Sequence, residues 1–176
     1  MARPPSRPNL PQAVIDNTLL SRLVELDLAE FLPLLFFLIL IPPEVRREAY
    51  RARHGGKRRL RNLIRDSKGF FVHCREVNPD VKNVLRVDLH EGEAAAIAQA
   101  DFKKTKLLLD EEKGFKRATR MEIEVIRTGT LLNMLKAVGA IREVRPYHDK
   151  LNKLGFYMSS DVRNRLLAEA GELTPP

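Results

Sequence analysis

Four carboxylates, far apart along the chain, sit in settings better suited to chemistry than to packing. Asp16 follows Ala13-Val14-Ile15 and Asp110 follows Leu107-Leu108-Leu109, so each ends an apolar run of the length expected for a short buried strand. Glu48 comes shortly after Leu38-Ile39-Leu40-Ile41, on a helix-like segment, and Glu93 opens the small-residue run 92–101. In open parallel sheets, ligands bind beyond the carboxyl ends of the strands, so acids there face a binding edge rather than the core. Singly, each has an ordinary explanation: Asp16 can cap a helix, Glu93 can favour a helix N-terminus, and Glu48 can pair with the adjacent Arg47. Gathered on one edge, they become like charges that are costly unless a cation neutralises them. A donor set made only of oxygens selects Mg²⁺ or Mn²⁺ over zinc.

The elements that must carry these side chains alternate between strand and helix. Strands are expected at 13–15, 38–41, 70–73, 107–109 and 124–126. The intervening helices begin after Asp16-Asn17-Thr18, with Asn17 or Thr18 as the cap, and after Pro42-Pro43, where a helix is expected to run to 53 and end at His54-Gly55-Gly56. Further helices are expected around Leu60, Leu63 and Ile64, and over 92–101, 111–121, 131–138 and 147–154. A last one follows Ser159-Ser160-Asp161, and Gly139, Gly155 and Gly171 act as stops. Asn78-Pro79-Asp80 and Thr128-Gly129-Thr130 read as turns. The alternation argues for a mainly parallel sheet covered by helices. There is no repeat, no Gly-rich phosphate loop and no Ser-x-Gly nucleophile turn.

A chain of 176 residues that is 44% hydrophobic supports one well-buried core, expected over 13–172, with tails at 1–12 and 173–176. The most apolar run, 31–41, contains Pro33 and is far shorter than the ~20 residues of a membrane span, so it reads as core and no membrane is expected. The proline-rich amino terminus lacks the apolar stretch of a signal peptide. A single cysteine, Cys74, excludes an internal disulfide and a cysteine-rich zinc site, and with His73 it supplies too few ligands for zinc; this suits a reducing cytoplasm. Charge is concentrated: ten basic residues against Glu48 and Asp66 between 46 and 68 account for the entire net charge of +8. Such a block, expected as an insertion over about 51–75, is a candidate phosphate-contacting surface, with Arg53, Lys57, Arg58, Arg59 and Arg61 at its centre. A solvated basic loop is the other reading.

The motifs, in order, are Asp16-Asn17-Thr18, Ile41-Pro42-Pro43-Glu44-Val45-Arg46-Arg47-Glu48, Gly92-Glu93-Ala94-Ala95-Ala96-Ile97-Ala98 and Leu108-Leu109-Asp110-Glu111, followed by Thr128-Gly129-Thr130, Leu154-Gly155-Phe156-Tyr157 and Ala170-Gly171-Glu172. In this order and spacing the chain resembles the PIN-domain nucleases, the family that includes the VapC-type toxin ribonucleases. The resemblance implies an α/β fold of three α/β/α layers around a mainly parallel sheet. It implies a metal-dependent endoribonuclease whose catalytic quartet is Asp16, Glu48, Glu93 and Asp110, with Thr18 as a polar helper. Mg²⁺ or Mn²⁺ would be held by Asp16, Glu93 and Asp110 together with Glu111, which stands where relatives carry a second aspartate. The implied partners are single-stranded RNA, a small antitoxin protein and a second copy of the chain. The alternative is a PIN fold that binds nucleic acid or a protein without cutting.

Overall fold

The computed structural model describes residues 10–51, 57–67, 69–74 and 78–173. Most of the proline-rich tail, Arg53, the His54-Gly55-Gly56 stop, Lys68 and residues 174–176 lie outside the described residues, and of Lys57 only the backbone is described.

Five short strands form a parallel sheet in the order β3-β2-β1-β4-β5. They are β1 (Gln12–Ile15), β2 (Leu38–Ile41), β3 (Phe71–His73), β4 (Lys106–Leu108) and β5 (Val125–Ile126). The apolar triplets of β1, β2 and β4 are almost wholly buried, as expected for central strands covered on both faces. Burial of each such aliphatic side chain is worth about 1.5–3 kcal/mol, which is why these runs and not the polar linkers become the sheet. From β1 the chain builds outward to β2 and β3, then returns to the other side of β1 for β4 and β5. The reversal between β1 and β4 is the topological switch point, the place in an open α/β sheet where a crevice forms beyond the strand ends.

Helices cover the sheet on both sides, giving three α/β/α layers: α1 (Asn17–Glu25), α2 (Pro43–Arg51), α3 (Lys57–Asp66), α4 (Pro79–Leu85), α5 (Glu91–Lys103), α6 (Glu112–Arg120), α7 (Thr128–Ala137), α8 (Arg145–Lys153) and α9 (Ser160–Glu169). The small side chains of α5 let it lie against β1 and β4 and between α2, α4 and α6, so that residues Gly92 to Ala100 are all buried. The apolar run 31–41 is divided between a 3-10 helix, Ala29–Leu34, which accommodates Pro33, and the central strand β2. Among the described residues, no helix is long and apolar enough to cross a membrane.

Two expected turns are helix starts. Asn78 caps α4 by accepting from the N–H groups of Asp80 (3.1 Å) and Val81 (3.4 Å), with Pro79 in the first turn, where its missing donor costs nothing. The segment reads as a turn because Leu85 is the one fully buried residue of α4, too little for a helical period. Thr128-Gly129-Thr130 is the first turn of α7, entered through Arg127.

Candidate active site

Asp16 is both the first residue beyond β1 and the cap of α1. Of the caps expected for α1, Asp16, Asn17 or Thr18, the structure uses Asp16: its Oδ2 accepts from the Thr18 N–H at 2.9 Å, while its own N–H continues the sheet by donating to the Leu108 carbonyl at 3.0 Å. Asp16 as a whole is 2% exposed. Burial raises its pKa above the ordinary aspartate value and the charge of Asp110 adds to the rise, while hydrogen bonds from Thr18 and Asn17 partly oppose it.

Asp110 stands across the switch point, two residues beyond β4 and 4% exposed. Its Oδ1 accepts from the Thr128 N–H at 2.8 Å, and its Oδ2 from the Thr128 hydroxyl at 2.5 Å. Oδ2 also receives the guanidinium of Arg22 in an ion pair. The Asp110 carbonyl accepts from Arg127 at 2.7 Å, and the other arm of Arg127 reaches Glu112 at 2.9 Å.

Glu48, half-buried on α2, rests on the N-terminus of α5: its Oε1 accepts from the Gly92 N–H at 3.0 Å. That seat requires a glycine, because a Cβ at position 92 would lie 2.4 Å from Glu48 Oε2. Glu93, in the first turn of α5, folds back so that its Oε2 accepts from the His90 N–H at 3.3 Å. Both glutamates have pKa values raised by burial first and by the charge of Asp16 second; Glu91 adds to Glu48, and Glu111 adds to Glu93. The carboxylates thus oppose one another's ionisation across the carboxyl edge, with Asp16 at the centre. Arg47, the expected partner of Glu48, instead pairs with Glu44 at 3.3 Å and Glu91 at 3.6 Å. Glu111 caps α6, its Oε2 accepting from the Gly114 N–H at 2.8 Å, while its charge still reaches Glu93.

In donor chemistry this set fits a hard divalent ion: oxygen ligands, largely buried, whose repulsion a cation would relieve. Among the described residues, however, no three acidic, histidine or cysteine side chains already stand grouped as a metal site. Asp110 is turned toward Arg22 and Thr128, and Glu111 toward its helix. Cys74 offers no alternative nucleophile, since burial pushes its thiol up to about 11, and burial lowers the pKa of the neighbouring His73.

Of the basic residues singled out, Arg58, Arg59 and Arg61 are exposed on α3. Arg59 pairs with Asp27, and Arg61 lies over the Tyr50 ring, 5.0 Å from its centroid, with Arg46 also over that ring at 5.5 Å. Arg53 is outside the described residues, and the Lys57 side chain is not described.

Sequence reasoning misses Arg22, Thr128, Arg127 and the role of Gly92. Thr128 lies in a motif that the sequence singles out without assigning it a task. Arg22 carries no signal, because its partner is 88 residues away.

Sheet order and switch point define an open, parallel α/β fold with acids along its carboxyl edge. The sequence matches the PIN-domain family over residues 12–172, and the chain belongs to that family. PIN domains are in general nucleases and usually use divalent metal ions, which places this chain, at that coarse level, among the hydrolases. No curated protein sequence matches it.

Proposed function

We propose that the protein is a metal-dependent endoribonuclease that hydrolyses phosphodiester bonds in single-stranded RNA. The observation that carries this reading is the placement of three acids from three elements at the carboxyl edge: Asp16 directly beyond β1, and Glu48 of α2 seated on the Gly92 N–H at 3.0 Å, one residue from Glu93 in the first turn of α5, with the charge of Asp16 raising the pKa of both glutamates. Structural carboxylates in a core are normally paired with cations, and an uncompensated group of this kind marks a functional site. Asp16, Glu93 and Asp110, together with Glu111 once its carboxylate leaves the α6 cap, are the proposed holders of Mg²⁺ or Mn²⁺, with Glu48 completing the set. When bound, the ion supplies water activation and charge neutralisation at the phosphate.

The chain's own groups do the rest. Thr18 fixes the Asp16 carboxylate through its backbone N–H, Gly92 fixes Glu48, and Thr128 fixes Asp110. Arg58, Arg59 and Arg61, with Lys57 and Arg53, would hold the RNA backbone electrostatically and contribute little sequence preference of their own. Toxin activity controlled by a small antitoxin, in the cytoplasm, is the finer form of the proposal that the resemblance to VapC-type ribonucleases suggests.

The direct test of the metal set is thermal. Mn²⁺ stabilises the native state by mass action, so saturating Mn²⁺ raises the melting temperature of the native protein and leaves that of Asp16→Asn nearly unchanged. Equal shifts in both proteins would place the ion elsewhere.

A further inference from the structure

Among the described residues, Asp110 is the one member of the acidic quartet that an ion pair neutralises. The partner, Arg22, projects from the last turn of α1, with its side chain 21% exposed against 2% for Asp110. It is held from a second direction by Phe156, whose ring centroid is 3.9 Å from the guanidinium carbon. Phe156 reaches that position because Gly155, at φ +83°, turns the chain back at the end of α8, so that the Phe156 N–H donates to the Leu151 carbonyl at 2.9 Å. A guanidinium seated on an aromatic face and paired with a buried carboxylate is a built clamp, not a surface pair exchanging with solvent. Both Asp110 oxygens are in use: Oδ1 on the Thr128 N–H, and Oδ2 on the Thr128 hydroxyl and Arg22.

We propose that Arg22 is a built-in counter-cation that competes with the divalent ion for Asp110, so that metal uptake requires the guanidinium to leave that carboxylate. A singly and a doubly charged cation cannot share one buried oxygen without strong repulsion, and Asp110 cannot stay buried and unpaired without cost. Each therefore weakens the other's hold on Asp110. Arg22 keeps the metal-free fold intact and sets the metal concentration at which the site fills. It is a positioning residue acting through Asp110, and the inference rests on the metal reading above.

Titration calorimetry with Mn²⁺ on the full-length chain tests it. Removing one of two competing ligands tightens the other by the coupling between them, commonly ~5–150-fold for coupled sites. Arg22→Gln should thus bind Mn²⁺ about tenfold more tightly than the native protein. Phe156→Ala, which loosens the clamp but leaves the ion pair, should bind a few-fold more tightly and remains informative if Arg22→Gln does not fold. A merely structural role for Arg22 predicts the opposite, since damage near a site weakens binding. Native-like or weaker Mn²⁺ binding in the folded variants, with Asp16→Asn still losing it, overturns the Arg22 inference alone. Binding unaffected by Asp16→Asn, or absent throughout, overturns the metal reading and this inference with it.

Discussion

Gly92→Ala isolates the seat of Glu48. The added methyl would lie 2.4 Å from Glu48 Oε2 and 2.7 Å from its Cδ, well inside van der Waals distance, and its three nearest atoms all belong to Glu48. Because the obstructed group is the end of a flexible side chain, the carboxylate swings away and gives up the 3.0 Å hydrogen bond from the Gly92 N–H. A hydrogen bond to a charged group is worth about 1.5–3 kcal/mol, and alanine in place of glycine in a helix returns up to about 1 kcal/mol. The net loss should be about 0.5–3 kcal/mol, read as a lower urea midpoint with an unchanged slope. Activity should fall much further than stability, because Glu48 no longer faces Asp16. In a Glu48→Ala background the same substitution should become neutral or stabilising, since the clash and the hydrogen bond are both gone. Equal destabilisation in the two backgrounds would refute the reasoning, because the cost would then lie in the backbone of α5 and not in the Glu48 carboxylate.

Two further expectations follow from charge. Asp16, Glu48 and Glu93 hold protons in the folded protein above the ordinary values of 3.8, 4.5 and 4.5 at which the unfolded chain releases them, so their contribution to metal-free stability falls as pH rises through and above that range. Asp16→Asn keeps a capping oxygen for α1 but removes one charge. In EDTA it should melt higher than the native protein at neutral pH, with the difference shrinking as the solution is acidified below the ordinary carboxylate range; a pH-independent difference would contradict the burial and repulsion argument. On the RNA side, replacing Lys57, Arg58, Arg59 and Arg61 with Ser should weaken binding of an uncleavable strand and flatten its log–log salt dependence by about 0.7 for each phosphate no longer neutralised. Unchanged affinity and slope would make α3 a solvated helix or a protein-binding surface.

The sheet is legible in the sequence because β1, β2 and β4 are short apolar runs between polar linkers; Asp16 and Asp110 follow two of those runs directly, while Glu48 on α2 and Glu93 at the start of α5 are picked out by the family order. What stays hidden depends on pairings between distant residues or on weak local periodicity. Arg22 meets Asp110 across 88 residues, and Thr128 reaches it from the first turn of α7, where the Thr-Gly-Thr pattern looks like a turn. Helix α4 leaves no clear signature because its seven residues bury little. Position beside Asp110 makes Glu111 look like a ligand, and its cap on α6 is not legible in the sequence because it depends on the path of the chain after β4.

Metal-dependent ribonuclease activity is read out by cleavage of a fluorescently labelled single-stranded RNA by the purified protein in Mn²⁺, with EDTA and Asp16→Asn as controls. The native protein should cut internally only when the ion is present, and Asp16→Asn, folded and still binding the strand, should leave the RNA whole. RNA that survives the native protein in Mn²⁺, or cutting that persists in Asp16→Asn, would rule out a metal-dependent ribonuclease built on Asp16.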